Sequence, residues 1–170
     1  MRMIEYFEQT KEIQKCLREQ IVQGDWRAAK YLYEVLEARA LKTRYGESTR
    51  LFLLVEKDNL LAFCTLAERD EIVEEERSSD MKLWIGFVYT FPAYRGHRYS
   101  EKLIDYACQQ ARKDGYEKVY LSSNEIGLYE KYGFVFREML HTLWGEETQV
   151  FEKRLSDERE CCDCNERKGG

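Results

Sequence analysis

The 170-residue chain holds a single proline, Pro92, so few of its loops are stiffened by a fixed φ angle. It also lacks any apolar run near the ~20 residues that span a bilayer, so no membrane partner is expected. Met1 to Phe7 lacks the apolar centre of a signal peptide. These two absences together point to the cytoplasm. There is no internal repeat. A net charge of −5 argues against a nucleic-acid partner.

What is present reads as a globular chain. Hydrophobic residues make up 44% and charged residues 35%, enough for one domain with a sizeable core. Three of the six cysteines, Cys16, Cys64 and Cys108, sit among apolar positions and read as small core residues. Cys161, Cys162 and Cys164 cluster in the charged segment 156–170, which is expected to be a disordered tail. That tail has no histidine, and no metal is expected. Residues 1–155 are expected to form the domain.

Trp84 to Ala111 organises the rest. Trp84 to Phe91 is apolar and rich in strand formers, and Pro92 ends it. Ala93 to Tyr99 is a short turn carrying Arg95, His97 and Arg98 around Gly96. Then Leu103, Ile104, Ala107, Cys108 and Ala111 fall at helical spacing. A strand that enters a helix through a basic turn can bind an anion. The first helical amides have no internal partners, and the macrodipole adds partial positive charge there. Gly96 permits close backbone approach, and both arginines are suited to phosphate oxygens. The local pattern fits either a phosphate site or a solvated basic turn.

Pro92-x-x-Arg95-Gly96-His97-Arg98-Tyr99-Ser100 resembles the acetyl-CoA pyrophosphate loop of the GNAT superfamily of N-acetyltransferases. Arg98 and Ser100 stand where that loop usually has glycine and glycine or alanine. Further on, Leu128-Tyr129-Glu130-Lys131-Tyr132-Gly133-Phe134 is similar to the family's Tyr-x-x-x-Gly-Phe motif. The resemblance covers roughly residues 1–155.

The remaining pattern agrees in order. A strand is expected over 2–7, helices over 11–23 and from Ala28 to near Gly46, and strands at 51–57 and 60–68 around Asp58-Asn59. The charged stretch from Glu68 to Arg77 reads as a solvated loop, or as an acidic rim that attracts a cationic amine. A strand at 118–122, a helix at 125–132, and strands at 134–140 and 149–154 complete the chain. This order predicts an α/β fold with a mixed, mostly antiparallel sheet and helices on both faces.

The resemblance implies acetyl transfer from acetyl-CoA, as co-substrate, to a primary amine of a small molecule or protein. The alternative is a CoA-binding module on the same fold without turnover. By motif position, backbone groups of Val88, Tyr89 and Thr90 would meet the cofactor, and Arg95, Gly96, His97, Arg98, Tyr99 and Ser100 its pyrophosphate. Asn124 matches a position that bonds the pantetheine arm, and equally suits a helix cap. Tyr129 matches the general acid. An ordinary tyrosine, with a pKa near 10, is protonated at neutral pH and able to donate. The alternative for Tyr129 is a core tyrosine with a satisfied hydroxyl. The amine must attack neutral, yet an amine of pKa about 10.4 is neutral at pH 7 in only roughly one molecule in 2,500. A base is therefore useful, and Trp84 to Phe91 holds no carboxylate. Glu68 is the expected base, with Asp70, Glu71 and a water chain as alternatives. His97 lies in the phosphate loop, which argues against it. Acceptor partners are thus amines, and a homodimer is an open arrangement.

Overall fold

The structure, a computed structural model, describes residues 1–155. The expected tail, with Cys161, Cys162 and Cys164, lies outside the described residues. Among these, seven strands form one sheet: β1 (Arg2–Glu5), β2 (Arg50–Glu56), β3 (Asn59–Ala67), β4 (Trp84–Thr90), β5 (Lys118–Ser123), β6 (Val135–His141) and β7 (Glu147–Arg154). Their order is β1-β2-β3-β4-β5-β7-β6. Every adjacent pair is antiparallel except β4 and β5. The helices are α1 (Lys11–Ile21), α2 (Arg27–Glu37), α3 (Leu41–Tyr45), α4 (Tyr99–Lys113) and α5 (Leu128–Lys131).

The sheet is covered on both faces, which explains the near-continuous apolar runs of β2 and β3. Successive strand side chains point to opposite faces. Phe52 and Leu54 pack with Leu103, Ile104, Ala107 and Ala111 of α4. Leu51, Leu53 and Val55 pack instead with Leu17 and Ile21 of α1 and with Leu32, Val35 and Leu36 of α2. Each such side chain contributes about 1.5–3 kcal/mol on burial. Thr10 caps α1, its hydroxyl accepting the Ile13 N–H at 3.3 Å. Cys64 and Cys108 are buried as expected, whereas Cys16 is exposed on the outer side of α1.

Several boundaries differ from the sequence pattern. The single helix expected from Ala28 to Gly46 is two. Arg39 adopts a left-handed φ of 54°, and the Ala40 N–H turns back to the Val35 carbonyl at 2.9 Å. This is a helix-ending turn with arginine where glycine is usual. The β2–β3 turn is Lys57-Asp58 rather than Asp58-Asn59, since Glu56 pairs with Asn59. The helix expected over 125–132 shortens to α5 because Gly127 sits at φ 80°. The acidic stretch after β3 is not free in solvent: Ile72 is buried and bridges Thr142, and Glu76 accepts from the His141 backbone and ring.

Two features of β4 open the sheet. Phe63 pairs with Tyr89 and Thr65 with Gly86, so Cys64 alone faces Phe87 and Val88. This is a β-bulge, and Phe87 pays for it with a φ of 47°. The ring of Phe87 is held by Tyr31 and Tyr45, at centroid distances of 6.4 and 5.8 Å. Before the bulge, at the start of β4, the strand keeps one paired position with β5, Trp84 with Tyr120. Past that pair the two strands part.

Candidate active site

The parting of β4 and β5 leaves a cavity of about 1010 Å³. Ile85 to Thr90 line one side, Leu121 to Ser123 the other, and the turn before α4 its end. Trp26 and Tyr31 of the α1–α2 region and Trp144 of the β6–β7 turn also line the cavity.

At the α4 end, Gly96 has a φ of 86°, and the space where a side chain would stand is open. No side chain caps the helix. The first amides of this 15-residue helix therefore have no side-chain partner, which suits an anion there. Arg98 precedes the helix in the left-handed region, φ 60° and ψ 33°, the conformation that a glycine takes most easily. Its guanidinium turns away to Glu101, with Nε 2.6 Å from Oε2. Arg95 turns inward. Its Nε donates to the Thr90 carbonyl at 3.0 Å, and Nη2 approaches Asp25 Oδ1 at 3.3 Å. The Ser100 and Tyr132 hydroxyls lie 3.0 Å apart. His97 stacks on Tyr99 at 5.3 Å and does not line the cavity.

The cavity is also lined by Tyr129. Only 7% of it is exposed, and its ring packs against Tyr132, Phe134 and Phe151. Burial is the main cause that raises its hydroxyl to about 12, while Ser123 acts in the opposite direction. The phenol is thus held protonated.

Two carboxylates reach the cavity from the end of β3, Asp70 and Glu71. Asp70 Oδ2 accepts the Ser122 hydroxyl at 2.6 Å. Desolvation raises the Asp70 pKa above the usual carboxylate range, against the Ser122 hydrogen bond. Gly86 keeps this side of β4 open, since a side chain there would meet the Thr65 hydroxyl at 3.1 Å and Asp70 at 3.9 Å. Glu71 accepts a hydrogen bond from the Tyr45 hydroxyl, whose own pKa is raised by burial and then by Glu71.

The structure thus gathers Val88, Tyr89, Thr90, Arg95, Gly96, Arg98, Tyr99, Ser100 and Tyr129 around one cavity. Three expected residues stand outside it: His97, as above, Glu68 and Asn124. Glu68 accepts the Ser48 N–H at 3.1 Å and lies against Gly46, so it braces a turn instead of facing an acceptor. The Asn124 amide is engaged by β7, donating to the Glu147 carbonyl at 3.1 Å and accepting from the Gln149 N–H at 3.2 Å. Its continuation of the β5–β7 pairing leaves little for a pantetheine arm. The sequence reading passed over Asp25, Ser122 and Trp144. Only Asp25 carries a signal in the sequence, since it follows Gly24 in the break between the two expected helices.

The acetyltransferase (GNAT) family model matches residues 13–134, well over half of the chain. The chain belongs to that family: it is an acyltransferase, and its acyl donor is acetyl-CoA. Solved structures show the same fold. An aminoglycoside 6'-acetyltransferase type Ii is similar over 92% of this chain and 99% of its own, at 13% identity and a TM-score of 0.68. An aminoglycoside 6'-N-acetyltransferase complexed with coenzyme A is similar over 92% and 98%, at 14% identity and a TM-score of 0.63. An acetyltransferase of the GNAT family from Staphylococcus aureus is similar over 91% and 99%, at 15% identity and 0.59. No curated protein matches the chain. No described helix is long and apolar enough to cross a membrane. Among the described residues, no group of three or more His, Cys, Asp or Glu is placed to hold a metal ion.

Proposed function

We propose that the chain transfers the acetyl group of acetyl-CoA to a primary amine by direct attack, with Asp70 as base and Tyr129 as general acid. The observation that carries this reading is the parted β4 and β5. One opening is lined by a desolvated carboxylate, a protonated phenol and the uncapped start of α4.

Acetyl-CoA supplies an activated acyl group on a thiol leaving group. The chain supplies binding and proton transfer. The amides from Gly96 to Ser100 hold the pyrophosphate, and the backbone of Val88 to Thr90 lies along the cofactor arm. Asp70 takes a proton from the amine; its raised pKa makes it a stronger base than an exposed aspartate. Tyr129 gives its proton to the departing sulfur. An ordinary thiol has a pKa of about 8.5, so this donation helps without having to be complete.

Calorimetry with acetyl-CoA, followed by thiol-release assays on an amine panel, tests the reading. The panel includes kanamycin, because two of the similar structures are aminoglycoside acetyltransferases, together with spermidine, L-lysine and tryptamine. Micromolar binding of acetyl-CoA and turnover that depends on Tyr129 support it. An absence of acetyl-CoA binding sinks it.

A further inference from the structure

Three consecutive residues at the α1–α2 junction grip one side chain of β4. Gly24 lies so close to Tyr89 that a methyl group on it would sit 3.1 Å from the ring. The Asp25 N–H donates to the Tyr89 hydroxyl at 2.9 Å, and that hydroxyl donates to the Asp25 carboxylate. Trp26 stacks on the Tyr89 ring, with centroids 5.6 Å apart and planes 7° from parallel. Arg95 completes the cluster from the phosphate loop, with its guanidinium 5.6 Å from the Tyr89 centroid and Nη2 on Asp25. The hydrogen bond from Tyr89 is the main reason the Asp25 carboxyl titrates below its ordinary range, with Arg95 adding to it.

Tyr89 therefore belongs to two halves of the cavity at once. Its backbone continues the strand that faces the cofactor. Its ring and hydroxyl fix Asp25 and Trp26, which line the cavity from the face of the sheet that carries α1 and α2, opposite the face that carries α4. Trp26 is itself 36% exposed and has no side-chain cap or ion pair of its own to hold it. Its position depends on the stack with Tyr89, on the neighbouring Asp25 and on an edge contact with Phe87, centroids 6.5 Å apart.

We propose that Asp25 and Tyr89 are a positioning pair that sets the acceptor wall of the cavity through Trp26 and thereby determines which amines fit. The inference rests on the acetyl-transfer reading. It assigns neither residue a chemical step. The wall is held to the cofactor strand by the reciprocal hydrogen bonds, so loosening them changes acceptor binding first. Acetyl-CoA binding changes little, because Arg95 keeps its bond to the Thr90 carbonyl when Asp25 is removed, and the exposed Arg95–Asp25 pair is weak in water.

The test combines hydrogen exchange with kinetics on the full chain. In Asp25→Ala, and separately in Tyr89→Phe, amides of residues 22–28 should exchange about fivefold faster, the loss expected for one net hydrogen bond. Exchange across β2 and α4 should not change. Asp25→Asn, whose amide oxygen still accepts from Tyr89, should recover most of the protection. With the best amine of the panel above, Asp25→Ala should raise the acceptor KM about fivefold, again one hydrogen bond's worth. Its kcat and its calorimetric acetyl-CoA affinity should stay within about twofold. Unchanged exchange over 22–28 in both variants overturns the proposal, as does an equal loss of acceptor and acetyl-CoA binding. If the wild type binds no acetyl-CoA, the functional reading falls and the pair is left as packing only, which overturns the proposal by a separate route.

Discussion

The Ser122 hydroxyl donates to Asp70 Oδ2 at 2.6 Å, across the gap where β4 and β5 part. The bond orients a carboxylate that burial would otherwise push further from ionisation. Asp70→Asn keeps an oxygen for Ser122 and removes the base. We expect kcat to fall about 10²–10⁴-fold, the usual worth of a positioned base. Stability should move the other way. A carboxyl whose folded pKa is raised is destabilising when ionised, so the folded state loses stability as pH rises through that raised pKa. The substitution should therefore raise Tm at neutral pH, and the gain should vanish below about pH 4, where the folded and unfolded aspartates are both neutral. Thermal melts at the two pH values check the sign. A Tm lower at neutral pH would mean that Asp70 is held ionised by partners and is no base.

Tyr129→Phe removes the hydroxyl and leaves the ring packed against Phe134 and Phe151. We expect kcat to drop about 10²-fold, at the low end for acid catalysis because a thiol leaves readily. Acetyl-CoA affinity by calorimetry should be unchanged. The wild-type phenol titrates near 12, so it stays protonated through the ordinary assay range. Any alkaline fall in rate below about pH 10 must then come from another group, and should persist in the variant. An alkaline limb that disappears with the hydroxyl would contradict the assignment.

The parts that could be read from residue order were those set by periodicity. The apolar stripe of α4, the double-sided apolar runs of β2 and β3, and the strand–turn–helix around Gly96 all follow from local spacing. What escaped depends on where side chains turn after regular structure ends. Glu68, Asp70 and Glu71 follow β3 within four residues. Glu68 and Arg69 both donate their backbone N–H to the Tyr45 carbonyl, which breaks the alternation that would have told inward from outward. Glu68 turns to Gly46 while Asp70 turns to the cavity. Arg39 ends α2 in a left-handed turn without glycine, so no stop signal was visible. Arg95 lies in the turn before α4 that its place in the sequence predicts, but its inward partner, Asp25, lies 70 residues earlier and no local pattern connects them.

Gly46 can be tested independently of catalysis. At φ 116° it occupies backbone that side-chain-bearing residues avoid, and an added methyl would sit 2.0 Å from Glu68 Oε2. Gly46→Ala must both strain the backbone and expel the Glu68 carboxylate from its bond to Ser48. We expect a loss of about 1–3 kcal/mol, seen as a lower urea midpoint. Pairing it with Glu68→Ala should recover only part of the loss, because the Cβ of residue 68 would still stand 2.6 Å from the added methyl and the backbone strain of roughly 1 kcal/mol remains.

Asp80 gives a pH dependence opposite to that of Asp70. Arg137 reaches both its oxygens at 3.1 Å, with Ser78 and Tyr120 adding hydrogen bonds. These hold its carboxyl well below the usual range, Arg137 first. A depressed folded pKa stabilises the fold above the unfolded value of about 4, and that contribution is lost as pH falls through the folded one. The carboxylate is half exposed, so screening limits its worth to about 1 kcal/mol, or about 2–4 °C in Tm. Asp80→Asn should lower Tm by that amount at pH 7, and the two proteins should converge as pH falls below 4.

Glu101 restrains the turn before α4, proposed above to hold the pyrophosphate. Its carboxylate holds Arg98 at 2.6 Å and places a negative charge in the first turn of α4, beside the amides assigned to the pyrophosphate. In the free protein that charge complements the helix dipole, a gain of about 0.3–1 kcal/mol. With a pyrophosphate present, the same charge is repulsive, and the Arg98 guanidinium is already occupied. Glu101→Gln should free Arg98 and remove the repulsion, tightening acetyl-CoA about three- to tenfold at low salt, with less gain at high salt because the groups are partly exposed. It should also cost a little stability. Glu101→Gln with Arg98→Ala should lose the gain that Arg98 supplies and keep only the part due to removed repulsion. Calorimetry at two salt concentrations separates the two. If Glu101→Gln weakens acetyl-CoA, the Arg98–Glu101 pair shapes the loop for binding, and the arginine standing in place of glycine is needed where it is.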